Sequence, residues 1–204
     1  MNELISLILA LVLLTILISI VMRISYKEEE KIRVQHNIFG YMFMIYLIIA
    51  LAEVVGFPSI SEWRRLSGLN EAIFNPNINL IPFNDGFDIS GILNIIFFMP
   101  FGFLLPTLWK KYRSFLNTLS YGIIFSFIIE IGQLFTKNRA TDINDLIMNT
   151  LGTIIGWIIF NSLSKVFKKL TRKTVVDTKD FESKIIKLEP YLYVFIAIIS
   201  VFII

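Results

Sequence analysis

The sequence predicts an all-α fold, a polytopic membrane helical bundle with five to six transmembrane helices. The chain has 204 residues, 55% of them hydrophobic, and a mean hydropathy of +0.71. A soluble domain of this length cannot hide that much apolar surface, so the excess has to face lipid. Several apolar runs also approach or exceed the roughly 18–20 residues that a helix needs to cross a bilayer.

Six segments are apolar enough to be candidate spans. The first has no basic region before it and no small-residue cleavage site after it, so we expect a retained helix and not a signal peptide. The last is short for a crossing at about 1.5 Å of rise per residue. Either the span also includes Glu189 and Pro190 at the interface, or it does not cross the membrane. The segments are Leu4–Met22, Ile38–Phe57, Gly91–Trp109, Phe115–Phe135, Ile143–Leu163 and Tyr191–Ile204.

Lysine and arginine are divided unevenly between the two sides of these spans. Fifteen of the 19 basic residues fall in the first, third and fifth loops. Short cytoplasmic loops retain basic residues, so these loops are predicted to be cytoplasmic and the N-terminus outside. Anionic headgroups attract such a face, and the pI near 9.1 is therefore no reason to expect a nucleic-acid partner.

This pattern divides the chain into three parts. Residues 1–37 hold the first transmembrane helix and a cytoplasmic loop. Residues 38–163 form a core of spans two to five with an outer loop at 58–90, and residues 164–204 hold a basic cytoplasmic linker and a short C-terminal hydrophobic helix. We interpret the many phenylalanines and tyrosines as an interfacial belt and lipid-facing surface.

The residue types restrict the chemistry that the chain can perform. The absence of cysteine excludes disulfides, thiolate zinc sites and cysteine nucleophiles. The single histidine, His36, is expected in a charged loop, which argues against histidine-based metal or triad chemistry. A functional site therefore has to use carboxylates, amides, hydroxyls, lysine or arginine.

Polar side chains accumulate where the fourth span ends. Glu130 lies about 7.5 Å below the predicted interface by helix rise. An ionised carboxylate facing lipid there costs several kcal/mol, so Glu130 should face protein or a wet cavity. Gln133 follows at i+3 and shares its face. Arg139, in the turn that follows, is expected to reach Glu130 or an aspartate of the next helix in a bidentate pair.

The fifth span begins with a second polar set, and Asn94 lies at the corresponding end of the third span. Thr141 is a candidate N-cap for the fifth span. At 100° per residue, five positions of this helix fit one stripe about 80° wide, in which a Gly-x-x-x-Gly seam lets another helix approach closely. The stripe comprises Asp142, Asp145, Asn149, Gly152 and Gly156.

These stretches together resemble a known family. Asn79–Phe83 reads NLIPF and Asn94–Gly102 reads NIIFFMPFG, and both precede the polar and glycine positions in order and spacing. The series resembles that of VanZ-like membrane proteins and covers a little over a third of the chain. Its remaining members are Glu130, Gln133, Phe135, Arg139, Asp142, Ile143, Asp145, Asn149, Gly152 and Gly156.

The resemblance implies a multi-pass protein of the bacterial cell membrane, in a Gram-positive envelope. The founding members of the family raise tolerance to teicoplanin and related lipoglycopeptides. The resemblance supplies that phenotype class but no reaction, so the chemistry has to be argued from the residues.

Two mechanisms of different classes fit these residues. In the first, an outer-leaflet pocket binds a lipid-anchored ligand: a membrane lipid, a lipid-linked cell-wall precursor or the lipoglycopeptide itself. This reading requires no cofactor, and its ligand-binding residues are Asn94, Glu130, Gln133, Arg139, Asp142, Asp145 and Asn149.

In the second mechanism, a membrane enzyme acts on lipid-linked cell-wall intermediates. Glu130, Asp142 and Asp145 would supply a general base or hold a divalent cation, and Arg139 would clamp a phosphate. No nucleophile motif or Gly-rich phosphate loop supports this reading. A third alternative, in which the polar residues only hold helices together, stays open at this point.

Overall fold

The computed structural model of the protein describes residues 2–28, 32–74, 76–83, 89–137 and 139–204. Within these ranges the chain is mostly helical, with two short strands, a π-helical turn at Ala50–Val54 and a 3-10 helix at Lys110–Arg113. The helices are α1 (Asn2–Lys27), α2 (Val34–Ile49), α3 (Ile60–Gly68), α4 (Ile89–Leu108), α5 (Phe115–Gln133), α6 (Ile143–Val166), α7 (Lys168–Thr174) and α8 (Lys184–Phe202). Strands β1 (Ile78–Asn79) and β2 (Thr141–Asp142) pair in parallel.

Six of the helices in the described ranges are long and apolar enough to cross a membrane, which confirms the predicted helical bundle. The sixth begins at Lys184 and not at Tyr191, so it has 19 residues and keeps Pro190 inside the helix. The hydropathy signal is weak over Lys184–Pro190 because this stretch contains charged residues. The short sixth segment of the sequence is thus the apolar part of a full-length helix.

Helices α4 and α6 pack with their backbones in contact through glycine. A Cβ added at Gly152 would overlap the carbonyl oxygen of Ile95, and one at Gly156 would overlap that of Met99. In the other direction, a Cβ at Gly102 of α4 would overlap the carbonyl oxygen of Thr153. The Gly-x-x-x-Gly seam therefore allows another helix to approach closely, as its spacing predicts, and the approaching helix is α4.

Aromatic side chains fill the interior of the bundle. Phe101 of α4 stacks on Phe125 of α5 with ring centroids 4.7 Å apart, and it also contacts Phe43 of α2 at 5.8 Å. All three side chains are fully buried. Assigning phenylalanine and tyrosine to the lipid-facing surface was therefore wrong for these positions. Lipid and a helix interface are equally apolar, so composition cannot separate them.

The second span ends in an irregular segment that bears on the site. The sequence predicts helix through Phe57, but the α-helix changes to a π-helical turn at Ala50 and ends at Val54. Gly56 then adopts a positive φ of 61°, which favours glycine. The carbonyl groups of Val54 and Val55 consequently accept hydrogen bonds from side chains elsewhere in the chain. Irregular helical turns of this type are frequent at functional sites.

His36 is fully buried inside α2 and does not lie in a charged loop. Its Nδ1 lies 2.8 Å from the carbonyl oxygen of Thr174, and its Nε2 lies 3.3 Å from Oε1 of Glu189. Trp109 donates its indole N–H to the other oxygen of Glu189 at 2.9 Å. Because a carbonyl only accepts, Nδ1 carries a proton and a single further proton is shared between His36 and Glu189. This network connects α2, α7 and α8 with the segment after α4.

Replacing Glu189 with leucine should destabilise the protein by about 3 kcal/mol, because His36 and Trp109 would lose their buried partner. Glutamine at this position can accept from Trp109 and donate to a neutral His36, so Glu189→Gln should stay close to wild type. Thermal unfolding of the two purified variants and the wild type in the same detergent measures both changes in stability. Equal stability of Glu189→Leu and wild type would contradict this account of the network.

Candidate functional site

Six of the predicted site residues lie toward the end of the bundle opposite the basic loops, and two pairs of them, Asn94–Asp145 and Glu130–Asp142, are in direct contact. They lie near the start of α4 and α6, at the end of α5 and in β2, where the short β1–β2 pairing joins the outer loop to α6. We call this set the polar cluster, and it consists of Asn94, Glu130, Gln133, Asp142, Asp145 and Asn149.

Glu130 holds the segment that enters α6. Its side chain is 4% exposed, and its Oε2 accepts the backbone N–H of Asp142 at 2.9 Å. Its backbone carbonyl accepts the hydroxyl of Thr141 at 2.9 Å. The other carboxylate oxygen, Oε1, is buried and has no hydrogen-bond partner among the described residues. Glu130 thus faces protein, as its position in a span requires, and keeps one oxygen for another group.

Asp142, and not Thr141, is the N-cap of α6. Its Oδ1 accepts the backbone N–H of Asn144 at 2.8 Å, and its Oδ2 accepts the side-chain amide of Asn79 at 3.2 Å. The N-cap prediction for Thr141 was wrong because its hydroxyl is bonded to Glu130. A carboxylate at this position also suits the positive end of the helix.

Two amide–oxygen pairs join α6 to its neighbours. The Nδ2 of Asn94 on α4 donates to Oδ1 of Asp145 at 2.6 Å. One turn further along α6, Nδ2 of Asn149 donates to the hydroxyl of Ser126 on α5 at 2.9 Å. Asn149 is 2% exposed, and its own Oδ1 has no partner in the described part of the chain.

Gln133 repeats this arrangement at the end of α5. Its Nε2 donates to the carbonyl of Val55 at 3.1 Å, while its Oε1 is buried with no donor among the described residues. Gln133, Glu130 and Asn149 therefore each present one oxygen that accepts nothing from the described chain. Buried acceptors usually have partners, so three in one cluster indicate a place where a donor-bearing ligand can bind.

Arg139 does not make the contacts that the sequence suggested for it with Glu130 or Asp142. It donates to the carbonyl of Val54 at 3.1 Å, and its side chain lies against Gly56. No ion pair joins it to Glu130 or Asp142 in the described residues. The prediction was wrong because the irregular end of the second span leaves a backbone carbonyl available to Arg139.

Two asparagines belong to the site although the sequence analysis did not assign them to it. Asn79 bonds Asp142 from β1, and Asn144 accepts the backbone N–H of Phe83 at 2.9 Å. Phe83 adopts a positive φ of 57°, so this bond holds a strained position in the outer loop. Asn79 lies in the NLIPF run, and Asn144 lies two residues after the aspartate cap. Asparagine at such positions often bonds nearby backbone groups, so both residues could have been assigned to the site from the sequence.

The carboxylates of the cluster are mostly engaged with N–H groups. Both oxygens of Asp142 accept hydrogen bonds, and one oxygen of Asp145 does so too. The described residues contain no group of three or more histidine, cysteine, aspartate or glutamate side chains placed to hold a metal ion. A divalent cation at Glu130, Asp142 and Asp145 stays a prediction.

A model of the VanZ/LLP1 family matches residues 43–167, which is more than half of the chain. The chain belongs to the VanZ/LLP1 family. The match runs from α2 to the end of α6, so the polar cluster and Arg139 lie inside the family region. The resemblance drawn from the motifs is thereby confirmed, and with the six apolar helices it makes the chain a multi-pass membrane protein.

A curated relative is Protein VanZ from Enterococcus faecium, which is 34% identical over 99 residues. The aligned part covers 47% of this chain and 61% of that VanZ protein, so the similarity spans less than two thirds of the relative. No solved structure matches the chain.

Proposed function

We propose that this VanZ-family protein acts at the outer leaflet of a Gram-positive cell membrane, where it binds a lipid-anchored ligand or a teicoplanin-type drug. By binding, it would raise tolerance to these glycopeptides. The observation that carries the proposal is the set of three buried oxygens on Glu130, Gln133 and Asn149 that have no donor among the described residues. Peptide N–H groups and sugar hydroxyls are donors, and such molecules are rich in both.

Exposed apolar side chains that could hold a lipid tail follow the strand that pairs with the entry of α6. Leu80 is 68% exposed and Ile81 is 63% exposed, and both follow directly after β1, which is paired to the entry of α6. Phe83 is bonded to Asn144 and is also exposed. A ligand with a polar head and an acyl tail would therefore find acceptors and apolar side chains within one region.

The outward placement rests on the distribution of charge. The basic loops lie at the opposite end of the helices from the polar cluster. Short cytoplasmic loops retain lysine and arginine, so the cluster would face the cell exterior, where cell-wall precursors and glycopeptides are found.

One observation favours an enzyme as the second candidate. The backbone N–H of Asp142 fixes one oxygen of Glu130, and the other, Oε1, has no partner among the described residues and could serve as a base. The reaction would act on lipid-linked cell-wall intermediates, with or without a divalent cation. Arg139 would have to leave the carbonyl of Val54 before it could clamp a phosphate.

Expression in a susceptible Gram-positive host tests the proposal. We expect a higher inhibitory concentration of teicoplanin and little change for vancomycin, relative to a host that carries the empty vector. Unchanged susceptibility to teicoplanin, with the protein present in the membrane at full level, would contradict the resistance proposal.

Lipid extraction from the purified protein separates the two candidates. A binding protein should carry an intact lipid-linked precursor, whereas an enzyme should convert the added precursor to a product. Loss of turnover on chelation with EDTA would identify a cation-dependent enzyme. Neither a bound precursor nor turnover would count against both mechanisms.

A further inference from the structure

A pocket at the basic end of the bundle is separate from the polar cluster. It lies between α2, α4, α6 and α7, is partly open to the surface and has a volume of about 230 Å³. Apolar cavities of about 150 Å³ already accept benzene-sized guests, so this one is large enough for a segment of hydrocarbon chain. We call it the basic-end pocket, and its lining includes Phe39, Phe103, Phe160, Leu163, Phe167 and Leu170.

The hydroxyl groups in the lining do not make the basic-end pocket polar. Thr107 donates to the carbonyl of Phe103 at 2.7 Å, and Thr171 donates to that of Phe167 at 2.9 Å. Ser164 donates in the same way to an earlier residue of its own helix at 3.1 Å. Because these protons are bonded to helix carbonyls, the walls offer mostly methyl, methylene and aromatic groups.

A cation without a carboxylate partner stands at the edge of this pocket. The guanidinium of Arg113 donates to the carbonyl of Thr171 at 3.2 Å and lies 5.7 Å from the ring centre of Phe160. Both of these residues line the pocket. The described residues provide Arg113 with carbonyl groups and an aromatic face but with no ion pair.

The helix that closes the pocket adds further positive charge. Helix α7 reads KKLTRKT, and its apolar Leu170 and its Thr171 and Thr174 face the pocket. Its four cations are exposed on the faces of α7 that turn away from the pocket, it contains no acidic residue, and no ion pair involves it in the described part of the chain. A ligand here therefore meets an apolar interior, Arg113 at its edge and a positively charged surface nearby.

We infer that the basic-end pocket binds an anionic glycerophospholipid from the leaflet that faces the basic loops. One acyl chain occupies the pocket and the phosphate lies at Arg113, while the exposed cations of α7 add positive charge at the same end of the bundle. The planar guanidinium suits a phosphate, and juxtamembrane cations attract anionic lipid. The inference does not depend on the ligand or reaction of the polar cluster, which lies at the other end of the bundle.

Lipid titration followed by native mass spectrometry tests this site. The purified full-length protein in neutral detergent is titrated with dioleoyl phosphatidylglycerol or dioleoyl phosphatidylcholine. We expect the anionic lipid to bind about tenfold more tightly, a difference of about 1.4 kcal/mol. The water-soluble headgroup glycerophosphoglycerol should not bind, because it lacks the chain that fills the pocket.

Two pairs of variants distinguish the charged part of the site from its apolar part. Arg113→Gln should bring the two lipids close to equal affinity, whereas Lys179→Gln removes one exposed charge away from the pocket and should keep the preference. Ser164→Phe fills the pocket and should weaken both lipids at least tenfold. Thr171→Leu adds less volume to the pocket and replaces Ser164→Phe in the experiment if that variant does not fold.

Equal affinity of the two lipids for the wild-type protein would overturn the inference. So would a preference that survives Arg113→Gln, or tight binding to a folded pocket-filling variant. Binding of the headgroup alone would also contradict the inference, because it would show that the site recognises the phosphate without an acyl chain.

Discussion

Replacing Gly156 with leucine is expected to prevent the protein from accumulating in folded form. The position faces the backbone of α4, where an added Cβ would overlap the carbonyl oxygen of Met99 and lie 2.9 Å from the backbone nitrogen of Phe103. A side chain in the way can change rotamer, but a backbone atom moves only with its helix. Helices α4 and α6 would have to separate, and the burial of Asn149 and the pairing of Asn94 with Asp145 depend on that contact.

Alanine at position 156 allows the free-energy cost of a side chain at the α4–α6 contact to be measured. Alanine favours a helix over glycine by about 1 kcal/mol, but overpacking typically costs 1–3 kcal/mol and more where the backbone blocks relaxation. We therefore expect Gly156→Ala to be destabilised by roughly 2 kcal/mol net. Thermal unfolding in detergent and the monodisperse fraction on size exclusion measure this effect.

Two other glycines are matched controls for this prediction. Nothing lies within 4 Å of a Cβ added at Gly68, so Gly68→Ala should be neutral or slightly stabilising. At Gly122 the nearest atoms belong to the side chain of Thr153, which can rotate, so Gly122→Ala should have an intermediate effect. If all three alanine variants unfold at the wild-type temperature, close backbone contact between α4 and α6 is the wrong explanation of the glycine seam.

The seam and the six helices could be predicted because both depend on local periodicity. Positions three and four apart share a helix face whatever the rest of the chain does, so Gly152 and Gly156 had to lie together. The length of an apolar run likewise indicates a span without knowledge of its neighbours. The orientation of the bundle in the membrane rests on the same kind of local signal and stays a prediction.

The contacts of Arg139 and His36 could not be predicted because they depend on distant parts of the chain. Arg139 meets a carbonyl that is available only because the second span ends in a π-helical turn. His36 meets Glu189, and both look like loop residues when hydropathy alone is considered. Glu189 of this pair, together with Lys184 and Lys187, lowers the hydropathy at the start of the sixth helix, which is why that helix looked too short.

Replacing Glu130 with glutamine is expected to remove the proposed activity while the fold survives. Glutamine keeps the shape of the side chain, and its Oε1 can accept the backbone N–H of Asp142 in place of the carboxylate. The thermal stability of Glu130→Gln should therefore be close to wild type. The second acceptor oxygen is lost because glutamine places an N–H group there, and a buried ligand donor left without its acceptor costs roughly 2 kcal/mol.

A loss of that size corresponds to at least a tenfold weaker affinity for the ligand. We therefore expect teicoplanin tolerance to fall to that of the empty-vector host, at matched protein level in the membrane. Glu62→Gln makes the same chemical change in α3, where the carboxylate is paired with Arg65 at 2.7 Å and lies outside the polar cluster. This control should keep full tolerance.

A comparison with Glu130→Leu separates a ligand contact from helix packing. Leucine cannot accept the N–H of Asp142, so this variant should lose stability as well as activity. A packing role predicts that function follows stability, so that Glu130→Gln stays active and only Glu130→Leu fails. A ligand contact predicts that both variants are inactive while only Glu130→Leu unfolds at a lower temperature. Full tolerance in a stable Glu130→Gln protein would therefore assign Glu130 to the entry of α6 alone, and the search for the ligand would move to Gln133 and Asn149.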